Sequence, residues 1–500
     1  MTPSRPRGVE GGWGRCGWTA AAMAVCAFLT LLPSALQAQG MRGWASSAVR
    51  FFELRPLQLD TASVDEVTVD ADGRPRVDGN PVSCTPGLPC TFLRPGVSET
   101  AVVGSQDVGF TAWGFGMTGL SFTGLVRARD RLRGELDWPL ADDPFDVLVA
   151  YGQLQRGSLR VRLGRQDTPS GLGFSGFDGA ALRWDGGGWW SEAFGGRSLA
   201  RGLNETRREA LRGIEDFVPD QEAYLWGGAA GVRWVRTSLG VRYQREIIAD
   251  RSGLVAERAA LDFNTVLPGA VRLRASADYD VPFDRVGKAN VTLQRALLDG
   301  RVLAEVEARR YVPYFELSTV WGFFSPVPYR EARVRVSTGW SRSAGVQLSL
   351  AGREYGDASV VSVLRPLEDR GWQAEAKGQW SPAERVQVHG SWQIDWGNSA
   401  FLHSIDAAVR LSMSDAVQLQ VSGMSFQQFE AYRLGDGRAL GGGVSAEILA
   451  SDRVTVEGGA TLLRQDAGRG GADDVWNQTR GWFGLRYTFG NDPALRGRGR

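Results

Sequence analysis

The chain has 500 residues, a formal net charge of +1 and a mean hydropathy of −0.21. The near-neutral balance excludes a global field that would gather nucleic acid or an acidic partner, and the hydropathy is too low for a bundle of membrane-spanning helices. Arginine dominates the basic residues, with only Lys288 and Lys377 as lysines, while 65 glycines and 18 tryptophans suit crowded strands and membrane interfaces.

At the N-terminus, Arg5, Arg7 and Arg15 precede the apolar run TAAAMAVCAFLTLLP, which Pro33 breaks before SALQAQG. That order of positive, apolar and small residues is a secretory signal, assigned to 1–38 with cleavage after Ala38. Cys26 lies in the apolar run without a lipobox around it. Cleavage removes Cys16 and Cys26 and leaves Cys84 and Cys90, in CTPGLPC, as the expected disulfide of an exported protein. The segment SSAVRFFEL, 46–54, reads as a first strand. Residues 55–100, with the cysteine pair and an Asp72-Gly73 hairpin, read as a large loop after it.

From about residue 100 onward, segments of about ten residues alternate apolar and polar side chains and are separated by turns. In VRLRASADYD, Val271, Leu273, Ala275, Ala277 and Tyr279 oppose Arg272, Arg274, Ser276, Asp278 and Asp280. In RVLAEVEARR, Glu305, Glu307 and Arg309 oppose Ala304, Val306 and Ala308, and in ARVRVSTGW, Arg333 and Arg335 oppose Val334 and Val336. A period of two is a strand, because successive side chains point to opposite faces. Short turns such as Thr237-Ser238, Asp299-Gly300, Ser414-Asp415 and Ser451-Asp452 alternate with longer connections at 197–222, 311–328, 355–370 and 429–437. Counting strands back from the C-terminus, through 117–128 and 101–115 to 46–54, predicts about 22 strands, within 20–24, with both ends on the short-turn side.

The last segment, GWFGLRYTFG, places Phe483, Leu485, Tyr487 and Phe489 on one face and Arg486 on the other. It resembles the C-terminal assembly signal of bacterial outer-membrane β-barrel proteins of the porin-like class, an alternating strand that closes on an aromatic residue. A basic tail, 491–500, follows it, which departs from the usual form. The resemblance covers nearly the full mature chain. It implies a single antiparallel transmembrane barrel over 39–490, in the outer membrane, with short periplasmic turns and 55–100 as the first extracellular loop. Its partners would be outer-membrane lipids, the barrel-assembly machinery during insertion, and small hydrophilic solutes.

The face opposite the apolar one is too charged to pack dry, since each buried ion costs several kcal/mol unless paired. Arg272, Arg274, Glu305, Glu307, Arg333, Arg335 and Arg486 are therefore the candidate lumen-lining residues, with an arginine excess that gives a mild anion bias. GFGMTG, with Gly114, Gly116 and Gly119, is a hairpin turn, because strand pattern continues on both sides where a nucleotide loop needs a helix. DADG at Asp70 to Gly73 lacks the later ligands of a calcium loop. Neither His389, which points inward by parity, nor His403, near a loop end, has a nucleophile elbow or paired carboxylate beside it. No cofactor, metal or nucleic-acid site is expected.

The segment before the second strand is too short to hold a plug domain. Two loops, 197–222 with a helical pattern over 205–217 and the aromatic, proline-rich 311–328, are expected to narrow the mouth. The leading functional expectation is a porin-like channel for passive diffusion. A non-conducting scaffold or surface-binding barrel is the first rival, and an outer-membrane hydrolase using a histidine is the second.

Overall fold

A segment that alternates apolar and polar side chains can present one face to lipid and the other to water only when extended. The computed structural model of the chain carries this through. It describes residues 40–491 except 56, 70–74, 85–86, 135–144, 171, 200–221, 250–253, 313–327, 342, 357–368, 398–399, 428–436 and 467–474. The signal segment 1–38, the Asp72-Gly73 hairpin, most of loops 197–222 and 311–328, and the tail beyond Asn491 lie outside the described residues.

The first strand is β1 (Gly40–Leu54), followed by five short ones: β2 (Leu57–Ala62), β3 (Thr68–Val69), β4 (Pro75–Val77), β5 (Asn80–Ser83) and β6 (Cys90–Pro95). Long strands resume with β7 (Glu99–Trp113), β8 (Leu120–Arg133), β9 (Phe145–Arg156), β10 (Leu159–Ser170), β11 (Gly173–Gly186), β12 (Trp189–Ser198), β13 (Ala223–Arg233) and β14 (Thr237–Ile248). Next come β15 (Leu254–Leu267), β16 (Val271–Asp280), β17 (Arg285–Leu297), β18 (Val302–Tyr311), β19 (Tyr329–Ser341), β20 (Ala344–Tyr355) and β21 (Arg370–Ala383). The last are β22 (Val386–Gly397), β23 (Ala400–Ser412), β24 (Val417–Phe426), β25 (Arg438–Ser451), β26 (Val454–Asp466) and β27 (Val475–Gly490).

β1 and β7–β27 form one antiparallel sheet of 22 strands in chain order, and β27 pairs with β1 along eleven residue pairs, so the sheet closes. Closure leaves no unpaired backbone edge, which a sheet in hydrocarbon requires. The strand number is the expected one, and three early boundaries shift. β1 begins at Gly40 rather than 46, and the next two strands run 99–113 and 120–133 rather than 101–115 and 117–128. Gly114, Gly116 and Gly119 take positive φ (81°, 71° and 85°) and turn the chain between β7 and β8, so GFGMTG is a hairpin turn.

The segment after β1 is more ordered than a plain loop. β2–β6 pair as a small sheet in the order β2-β6-β5-β4-β3, over a core of Ala62, Val77, Val82, Cys90 and Phe92. The expected Cys84–Cys90 disulfide is formed within it. Connections differ between the two ends of the barrel. One end has short links, from two residues at 157–158, 187–188, 384–385 and 452–453 to six at 114–119, together with both ends of the closed sheet. The other carries the long connections, interrupted by the short links 171–172, 281–284 and 398–399, so the alternation read from the sequence is not strict.

One sector depends on glycine. A Cβ on Gly179 of β11 would lie 2.1 Å from the Gly195 carbonyl oxygen, and one on Gly196 of β12 would lie 2.2 Å from the Asp178 carbonyl oxygen. Both obstacles are backbone, so no side chain can move aside. Gly179→Val is expected to prevent β11–β12 pairing, read as loss of the compact, heat-modifiable band on unheated gels. A normal band would refute this close approach.

Candidate channel lumen

Residues directly paired on adjacent strands point to the same side of a sheet. Leu293, Val306, Val334 and Leu350 form one such row across β17–β20. One residue along, Gln294, Glu305, Arg335 and Ser349 form another. The wall thus has an apolar face and a polar one. Contacts between distant strands decide which faces inward. Ser175 Oγ on β11 donates to Gln244 Oε1 on β14 at 3.1 Å, and Arg258 Nη1 on β15 donates to the Leu172 carbonyl beyond β10 at 2.6 Å. Three strand spacings are about 14 Å along the wall. Short side chains that far apart meet only on the concave side, and both contacts lie on the polar face. The polar face is the interior.

There the charges are organised in pairs across strands. Arg127 Nε donates to Asp107 Oδ1 at 2.7 Å, and Arg258 pairs with Asp278. Glu192 on β12 accepts from Arg183 on β11 (3.2 Å) and from Arg242 on β14 (3.4 Å). The densest group spans β19–β22. Glu331, whose side chain is fully buried, accepts from Arg333 Nε (3.1 Å) and Arg353 Nε (2.6 Å). Arg353 also donates to Asp395 Oδ2 (2.8 Å) and to Gln373 Oε1 (3.0 Å), and Arg333 reaches the same glutamine oxygen (2.5 Å).

The residues expected to line the lumen all fall on this face, in different circumstances. Arg335 is bound to Glu305, which also accepts from Gln294 (3.3 Å). Glu307 accepts from Arg309 and Asn290, each at 2.8 Å, and Arg333 is held as above. Arg486 stacks over the Trp44 ring at 5.1 Å. Arg272 and Arg274, opposite Gln294 and Thr292, are exposed and have no ion pair among the described residues. Arg274 borders an open hollow of about 510 Å³ with Trp190, Arg233, Asn264 and Asn290.

Sequence reading missed Glu331, Arg353 and Asp395. Glu331 shares the alternation of Arg333 and Arg335, and its place was legible. Its partners were not, because parity gives a face and only register gives a height. It also missed a tight curl of the wall over β11–β14, where Phe177, Phe194 and Leu225 are buried together on the inner face toward the long-connection end. The glycine pairs in FGG (194–196) and WGG (226–228) were its signal.

The convex face is apolar between two aromatic girdles. Tyr224, Trp226, Tyr279, Trp372 and Trp396 are exposed toward the long-connection end, and Trp184, Trp189, Trp380 and Tyr487 toward the tight-turn end. Trp372 and Trp380 share a face of β21, eight residues apart. That is about 26 Å along a strand, or about 20 Å once tilted, close to the apolar band of a membrane barrel. The barrel spans a membrane. Phe483, Leu485 and Tyr487 lie on this lipid face, and so does Phe489, opposite Gly43. His389, opposite Gln379 and Ala408, is interior. His403 is on the lipid face, where its Nε2 accepts from Trp392 Nε1 at 3.0 Å.

No family model and no curated protein matches the chain. Solved structures similar to it include the siderophore receptor PirA from Pseudomonas aeruginosa, at 10% identity and a TM-score of 0.47, covering 89% of this chain and 80% of that one. A BenF-like porin from Pseudomonas fluorescens Pf-5 is similar at 10% identity and a TM-score of 0.40, covering 90% and 99%. The outer membrane protein opdK from Pseudomonas aeruginosa is similar at 9% identity and a TM-score of 0.41, also covering 90% and 99%.

Proposed function

We propose that the chain is a porin-like channel of the outer membrane, passing small hydrophilic solutes by passive diffusion and performing no catalysis. The observation that carries this is the state of the interior charges. Arg272 and Arg274 stay exposed on the concave face without a counter-ion among the described residues, which is tolerable only in contact with water. Paired groups such as Arg335–Glu305 and Arg353–Asp395 contribute little net field, so the unpaired arginines set a mild preference for anions.

In this reading the tight-turn end faces the periplasm and the long-connection end faces outward, with the small β2–β6 sheet on the outer side. The strand carrying Phe483, Leu485, Tyr487 and Phe489 is the segment that the assembly machinery engages. It is also the strand that closes the barrel on β1, so its recognition and closure would be coupled.

The test is single-channel recording of the refolded mature chain in a planar bilayer. Stable steps of defined size are expected, with a reversal potential in a salt gradient on the anion side. A folded barrel that stays silent would reject the channel and favour a scaffold whose outer face binds a partner.

A further inference from the structure

We infer that the lipid face of β18–β21, at the long-connection rim, binds a phosphorylated lipid of the outer leaflet through Arg310, Arg330 and Arg370. The inference rests on the outward placement of that rim. Register puts Arg310 opposite Arg330, Arg330 opposite Glu354, and Glu354 opposite Arg370. The four side chains stand side by side at one height on the lipid face, all exposed, across about 15 Å of wall. The row carries three positive charges and one negative. Like charges directly opposite each other are destabilising in a sheet. Yet none of the four has a side-chain hydrogen bond or ion pair among the described residues.

Three other lipid-face arginines near the same rim each have an acid beside them. Arg165 is bound to Asp178 at 2.7 Å, Arg197 to Glu222 at 3.0 Å, and Arg245 lies 4.0 Å from Glu257. Among the described residues of the lipid face, the β18–β21 sector sets one arginine directly opposite another, Arg310 and Arg330, with the single acid Glu354 in the row. An external anion with several oxygens would complete it, and arginine's planar fork suits a phosphate.

Two further features make the anion the head of a lipid. Arg370 lies one step beyond Trp372 on the same face of β21, so the row sits at headgroup level, just outside the aromatic girdle. Below it, small side chains at Ala308, Ala332 and Gly352, with Val291 as floor and Trp372 as wall, leave an open groove of about 680 Å³. A groove between bulkier neighbours on a lipid-facing wall fits an acyl chain, and the arginines stand at its upper end.

The test uses the refolded full mature chain in detergent, with bis-phosphorylated lipid A as probe and native mass spectrometry as readout. The triple variant Arg310→Ala, Arg330→Ala, Arg370→Ala is expected to bind the probe about tenfold or more weakly, equivalent to about 1.4 kcal/mol. Removing the phosphates from the probe should weaken binding to the wild-type chain to a similar extent. Ala332→Phe, which fills the groove and leaves the arginines, should weaken it several-fold. Arg464→Ala, on the lipid face elsewhere at the rim, should not. All variants should keep the compact band of a folded barrel and unaltered conductance, so a failure here is separable from a failure of the channel reading. Undiminished binding by a folded triple variant overturns the inference. Displacement by inorganic phosphate alone, or equal binding of phosphatidylglycerol, overturns it as well, by making the site one for free anions or for another lipid.

Discussion

Glu331→Ala should lower the stability of the folded barrel by about 3 kcal/mol, because it strands two arginines that share one buried carboxylate. Glu331 is fully enclosed, while Arg333 and Arg353 keep only 12% and 15% of their side chains accessible. Removing the acid leaves two neighbouring cations, and Asp395 and Gln373 remain as partial compensation. Glu331→Gln keeps the shape and one acceptor, and should cost less. Urea unfolding in lipid vesicles, followed by the gel shift between folded and unfolded forms, measures both. A midpoint unchanged in Glu331→Ala would mean that water already carries these charges and that the network is not structural.

Charge reversal at Arg272 and Arg274 should have the largest effect on permeation. Each replacement changes the interior charge by two at a position with no ion-pair partner among the described residues, so the local potential should invert. With Arg272→Glu and Arg274→Glu together, the anion-to-cation permeability ratio should fall several-fold and cross into cation preference. Conductance itself should change little, because the bore keeps its width. Reversing Arg335 instead sets a glutamate against Glu305 and should be read mainly in stability. A reversal potential indifferent to the Arg272 and Arg274 changes would place the selective region elsewhere on the wall.

Much of this molecule was legible before its structure, for a definite reason. Strand periodicity is a local property, so VRLRASADYD and ARVRVSTGW show which side chains share a face without any knowledge of their neighbours. Turn positions then fixed the strand number, and the chain has the 22 expected. What pairs with what depends on register. Arg353 and Asp395 are 42 residues apart, and nothing local marks them as partners at one height. The small sheet after β1 escaped notice because its strands are two to six residues long, too short for alternation to show. The tight curl over β11–β14 was written in glycines, whose meaning emerges only when the facing backbone is known.

On the channel reading, the tight curl over β11–β14 bears on the size of solute admitted. The number of strands fixes the perimeter of the bore, and a given perimeter encloses its greatest area when round. Where Ser175 reaches Gln244 the wall curls tightly, and a tightly curled stretch of perimeter encloses little area. Aperture is therefore set by the glycines that permit the fold as much as by the count of strands. Two barrels with the same number of strands can differ in size cut-off by a few Cβ atoms.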